Sequence, residues 1–137
     1  MFKTVLFPVD RSREAREAAD LVANIVKTYN SRLILLSVVE KTPGGEDSPE
    51  GGLMSSEEEV AKILQGAQML FAQQNIEAEI IEREGIPSFT ICDVADDVGA
   101  NLIVMGCRGL GLTEEKVAES VTNKVINLSP CPVLVVP

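Results

Sequence analysis

Residues 32–39 read Arg32-Leu33-Ile34-Leu35-Leu36-Ser37-Val38-Val39, "RLILLSVV". Six of these eight positions are apolar, without the polar–apolar alternation of a strand that shows one face to water. A strand written this way is covered on both faces, which is the condition of a parallel sheet with helices above and below it. The flanking chain agrees. Upstream, Thr4 to Val9 ("TVLFPV") reads as a second buried strand. Between the two, Ser12 to Tyr29 places Ala15, Ala18, Val22, Ile25 and Tyr29 three and four residues apart, along one helical face. Ser12 can cap that helix, because its hydroxyl can accept from a free backbone N–H of the first turn.

The same alternation continues downstream. Lys41 to Leu53 ("KTPGGEDSPEGGL") is rich in Gly, Pro and acid and reads as an excursion of about residues 41–54, not as an element. Ser55 or Ser56 then caps a helix whose core face is Val60, Ile63, Leu64, Ala67, Leu70 and Phe71. Glu57, Glu58 and Glu59 fall in its first turn, where the helix dipole favours negative charge. Glu77 to Glu84 ("EAEIIERE") is a strand polar enough for a sheet edge. Pro87 suits a first helical turn, and Ile91, Val94, Ala95 and Val98 supply the buried stripe of that helix. "NLIVM" (Asn101 to Met105) is the fourth strand, a last helix ends near Leu128, and "PVLVV" (Pro132 to Val136) is the fifth. The order β-α-β-α-β-α-β-α-β, with right-handed crossovers, predicts one α/β domain over 1–137, a doubly wound open five-stranded parallel sheet.

Composition narrows the chemistry. At 45% hydrophobic, 137 residues can bury one core. No apolar run approaches the roughly 20 residues that span a bilayer, so no membrane partner is expected. The N-terminus has no charged leader with a small-residue cleavage site, which points to a cytoplasmic protein. A net charge of -9 argues against nucleic acid as a partner, since binding a phosphate backbone needs a basic face. The absence of histidine removes His-based acid–base catalysis, Ser-His-Asp triads and His-ligated metal sites. Cys92, Cys107 and Cys131 are widely spaced with no CxxC, and read as buried thiols in a reducing compartment.

In a doubly wound sheet, ligands bind beyond the carboxyl ends of the strands where the winding direction switches. That directs attention to the segments after strands one and four. After strand one, Pro8 offers no N–H and Asp10 is left at the strand end. Asp10 can accept from ribose hydroxyls or hold Mg²⁺ beside phosphates, or it can simply cap the following helix. After strand four comes Gly106-Cys107-Arg108-Gly109, in which glycines allow close backbone approach and consecutive N–H groups can form an anion nest. This GxxG is neither the GxGxxG of a dinucleotide fold nor the GK[ST] of a P-loop. Arg108 either pairs with phosphate or lies on the surface. Ser120-Val121-Thr122 opens the last helix, where free N–H groups favour a phosphate or where Ser120 caps without any ligand.

The chain resembles the universal stress protein family, and the resemblance spans nearly its whole length. It rests on "VLFPVDRS" (5–12), "ILLSVV" (34–39), "EGIPSFTICDVADDVGANLIVMGCRG" (84–109) and "SVTNKVINLSPCPVLVV" (120–136). The resemblance implies a Rossmann-like sheet of strand order 3-2-1-4-5 and a homodimer paired through the last strand. One branch of the family binds ATP through G-x2-G-x9-G-[ST]; another lacks the pattern and binds no nucleotide. Here Gly106 and Gly109 match, Leu110 to Ala118 are the nine intervening residues, and Ser120 matches the final hydroxyl. Glu119 stands where the third glycine belongs. Carried over by position, Pro8, Val9 and Asp10 meet the adenosine and Val38 contacts adenine. Met105, Gly106, Arg108 and Gly109 line the ribose and phosphate side, and Ser120, Val121 and Thr122 receive the phosphates.

Glu119 bears on which nucleotide is taken. A carboxylate about 4 Å from a phosphate oxygen costs roughly 1 kcal/mol in water and about 4 kcal/mol at intermediate dielectric. The expectation is weakened or altered binding, with AMP or ADP less penalised than ATP and Mg²⁺ as an optional companion. Three functions stay open: a regulatory adenine-nucleotide-binding dimer in stress response, a ligand-free dimeric scaffold acting on unidentified protein partners, and a slow ATPase. The last is least supported, because the chain shows no general base and no electrostatic clamp beyond Arg108.

Overall fold

The computed structural model describes residues 1–9, 13–40, 57–106 and 121–137, with the side chains of 13–16 and 40 excepted. Along the chain run β1 (Thr4–Pro8), α1 (Arg13–Tyr29), β2 (Arg32–Glu40), α2 (Glu57–Ala72), β3 (Ala78–Gly85), α3 (Pro87–Val98), β4 (Leu102–Gly106), α4 (Val121–Leu128) and β5 (Val133–Val136). The five strands form one sheet of order β3-β2-β1-β4-β5, and every pairing is parallel. The expected doubly wound sheet and its strand order are both present.

Side chains leave the sheet alternately and build two cores. Val5, Phe7, Val9, Leu33, Leu35, Leu102 and Val104 pack against α1 and α2 on one face. Leu6, Ile34, Leu36, Val38, Ile103 and Met105 pack against α3 and α4 on the other. This is why β2 is apolar at nearly every position: consecutive residues enter opposite cores. Phe7 and Phe71 meet edge to face with ring centroids 6.2 Å apart. Each such fully buried large side chain contributes roughly 1.5–3 kcal/mol.

Three helices stop in the same way. Asn30, Asn75 and Gly99 take left-handed φ values of 51°, 64° and 66°. The next residues, Ser31, Ile76 and Ala100, donate back to Val26, Phe71 and Ala95 carbonyls. These are six-to-one terminations, which satisfy orphan carbonyls and turn the chain within a few residues into the next strand. Two expected core positions differ. Leu70 is 41% exposed, because Phe71 takes the core position on the stripe Val60–Leu64–Phe71 and turns its neighbour outward. Tyr29, at the last position of α1, is 45% exposed, and its ring lies edge-on to Phe2. The strand expected at 77–84 runs one residue later, and the 41–54 excursion lies outside the described residues.

Candidate functional site

The switch in winding direction lies between β1 and β4, the central pair of the order β3-β2-β1-β4-β5. Their register is Val5↔Leu102 and Leu6↔Ile103. Extended two and three residues past that last pair, the same offset would set Pro8 level with Met105 and Val9 level with Gly106. With β2, β1 pairs further, to Pro8↔Leu36.

Backbone direction explains why the two seams differ. The Val9 N–H donates to the Leu36 carbonyl at 2.8 Å, so Val9 faces β2. Since backbone groups of successive strand residues point to opposite sides, Pro8 faces β4. Proline has no N–H, so β1 offers β4 no donor at that level. Pro8 therefore interrupts donation on the β4 side only; towards β2 the hydrogen bonding continues through Val9. The result is a strand end held on one side and free of a donor on the other, at the switch in winding direction where doubly wound sheets bind ligands.

Val38 and Met105 belong to the α3/α4 core and are only 7% and 6% exposed, so they form an apolar floor beneath the carboxyl ends of β2 and β4. The Thr122 hydroxyl donates to the Gly106 carbonyl at 3.4 Å, a long bond that ties the first turn of α4 to the end of β4. The first backbone N–H groups of α4 have no partner within the helix, and the dipole there favours an anion. An apolar floor beside an amide-rich helix start can take a flat base on one side and a phosphate on the other.

Of the residues expected at the site, Pro8, Val9, Val38, Met105, Gly106, Val121 and Thr122 are thus placed at one end of the sheet, on β1, β2, β4 and the start of α4. Asp10, Arg108, Gly109 and Ser120 lie outside the described residues, as do Glu119, Cys107 and the capping serines Ser12, Ser55 and Ser56. One polar residue at this end has no counterpart in those expectations. Ser37 is 1% exposed, and its hydroxyl donates to the Val9 carbonyl at 3.0 Å. Its signal in the sequence was a single hydroxyl within an otherwise apolar strand.

Cys92 and Cys131 belong to the α3/α4 core. Cys92 is buried, and Cys131 is half-buried, with the Ser129 hydroxyl 3.8 Å from its sulfur. Burial raises the Cys92 thiol above its ordinary range, helped by the charge of Asp93. Burial also raises Cys131, against the opposing hydrogen bond from Ser129. Among the described residues, no cluster of His, Cys, Asp or Glu could hold a metal ion, and no helix is long and apolar enough to cross a membrane.

Comparison with known proteins agrees with this architecture. The chain is 69% identical over 137 residues to "Universal stress protein Sll1654" of Synechocystis sp., covering 100% of this chain and 87% of that protein. A universal stress protein solved in complex with cAMP superposes with a TM-score of 0.79 at 23% identity, covering 99% of this chain and 97% of the other. One from Archaeoglobus fulgidus in complex with dAMP gives 0.74 at 19% identity, covering 100% and 98%. At those identities the two structures bear on the fold alone. The profile described as "Universal stress protein family" matches residues 1–137, and the chain belongs to that family.

Proposed function

We propose that this chain is a regulatory adenine-nucleotide-binding homodimer of the stress response, with its ligand in the crevice between the ends of β1 and β4. The observation that carries the reading is the placement of Pro8, Val9, Val38, Met105 and Gly106 at the carboxyl ends of β1, β2 and β4, with Val38 and Met105 in one buried apolar core. Two universal stress proteins have been solved with cAMP and dAMP, which makes an adenine nucleotide the ligand to test first. In this reading Val38 contacts the base and Asp10 the ribose. Arg108, Gly109, Ser120, Val121 and Thr122 receive the phosphates, and Mg²⁺ can accompany them.

Glu119 in place of the third motif glycine favours short phosphate tails. It is also the feature that favours the second reading, a dimer that acts through protein contacts with no nucleotide. Two measurements separate them. Adenine nucleotide released from denatured, freshly purified protein supports the first. In calorimetric titrations the wild type is expected to bind AMP or ADP in preference to ATP, and Glu119→Gly to raise ATP affinity by about tenfold or more. Equal and tight ATP binding by both proteins would remove this role for Glu119, and no binding of any adenine nucleotide would leave the scaffold.

A further inference from the structure

We propose that Ser37 is a positioning residue for this site: its buried hydroxyl draws the carboxyl end of β1 toward β2 and keeps the seam with β4 open. The assignment rests on the nucleotide-binding reading above. Ser37 and Ser88 are the polar residues among the buried described ones. A hydroxyl out of reach of water needs a partner, and that of Ser37 finds one 28 residues away in sequence, on the neighbouring strand, at the Val9 carbonyl. The Val9 N–H is taken by Leu36. Both backbone groups of Val9 are therefore satisfied from the β2 side, while Pro8 presents no donor toward β4. The strand end is pulled one way, and Val9 is the last described residue before Asp10.

The opposite end of the sheet provides a built-in comparison. There the Ser31 hydroxyl donates to the Phe2 carbonyl, again joining the β2 side to the β1 side, at the strands' amino ends. The two bonds share their chemistry and differ in which end of the sheet they hold, Ser37 lying at the carboxyl ends where the proposed ligand site is. If Ser37 merely stabilised the fold, its loss and that of Ser31 would act alike. As a positioning residue, it affects ligand affinity separately from stability.

The test compares Ser37→Ala and Ser31→Ala with the wild type by thermal unfolding, calorimetric titration with AMP and amide exchange. Both variants are expected to melt earlier. Ser37→Ala is expected to bind AMP about five- to tenfold more weakly, as for one lost hydrogen bond, and to exchange the Val9 amide faster. Ser31→Ala is expected to bind AMP like the wild type. Three results would overturn the assignment alone: undiminished AMP affinity in Ser37→Ala, an equal loss in Ser31→Ala, or an unchanged Val9 amide. Wild-type protein that binds none of AMP, ADP or ATP overturns the nucleotide reading, and the assignment with it.

Discussion

Gly85 shows how one residue can set the entry to a helix. It sits at the end of β3, where "GIP" leads into α3, and its φ is +154°, a value that L side chains rarely adopt. A Cβ there would stand 2.7 Å from Thr90 Oγ1. Two residues later Pro87 opens α3 with φ already suited to the helix. Gly85→Ala is expected to cost about 1–3 kcal/mol in urea unfolding. Adding Thr90→Ala should recover only part of that loss, because it removes the contact and leaves the backbone conformation. Full recovery in the double variant would show that φ contributes nothing. Ser37 illustrates the limit of reading single residues from sequence: its hydroxyl was visible in "RLILLSVV", but its partner at Val9 is created only when β1 and β2 pair.

Among the elements, the strands were the most legible. β2 and β4 are apolar almost throughout because both faces meet helices, and "EAEIIERE" is polar because β3 forms a sheet edge. The helical stripes were legible in outline, but Leu70 and Phe71 are apolar neighbours; in the fold Phe71 turns inward, where its ring meets Phe7, and Leu70 is left exposed. For the site, the strand ends could be located from topology. Residues 10–12 and 107–120, which carry Asp10, Arg108, Gly109, Glu119 and Ser120, lie outside the described residues, so those assignments remain part of the proposal.

The edge strand β3 is also joined to β2 by a two-pronged ion pair, Arg32 to Glu79, with Nη2 and Oε1 2.8 Å apart. Its hydrogen bond to Arg32 holds the Glu79 carboxyl below its usual range. A depressed carboxylate stabilises the fold above its unfolded pKa, and the contribution is lost as pH falls through the folded value. Glu79→Gln should therefore destabilise the protein slightly at neutral pH, with the difference from wild type vanishing in acid and shrinking in high salt. Both side chains are about half exposed, so the effect is small. A difference that grew in acid would have the wrong sign for this pair.

At the scale of the whole molecule, the two sheet edges contrast. β3 carries Glu79, Glu82, Arg83 and Glu84, charges that discourage pairing with another strand. β5 is Val-Leu-Val-Val, each residue half-buried in the single chain. The Ile103 N–H donates to the Pro132 carbonyl, so by alternation Leu134 faces β4, whereas Val133 and Val135 point their backbone groups outward. The proposed homodimer, paired through β5, would use those outward groups. If wild-type protein sediments as the proposed dimer, Val135→Pro, which removes one of those donors and leaves the β4 ladder intact, is expected to sediment as a folded monomer. A variant still dimeric and folded would move the interface elsewhere.

The proposed nucleotide site is best examined by titrating isotope-labelled wild-type protein with AMP and following backbone amide shifts. Saturable changes are expected at Val9, Val38, Met105, Gly106 and Thr122, with Arg32, Gln68 and Ala78, at the other end of the sheet, left unmoved. Shifts confined to that other end, or none at millimolar AMP, would contradict a nucleotide site between β1 and β4.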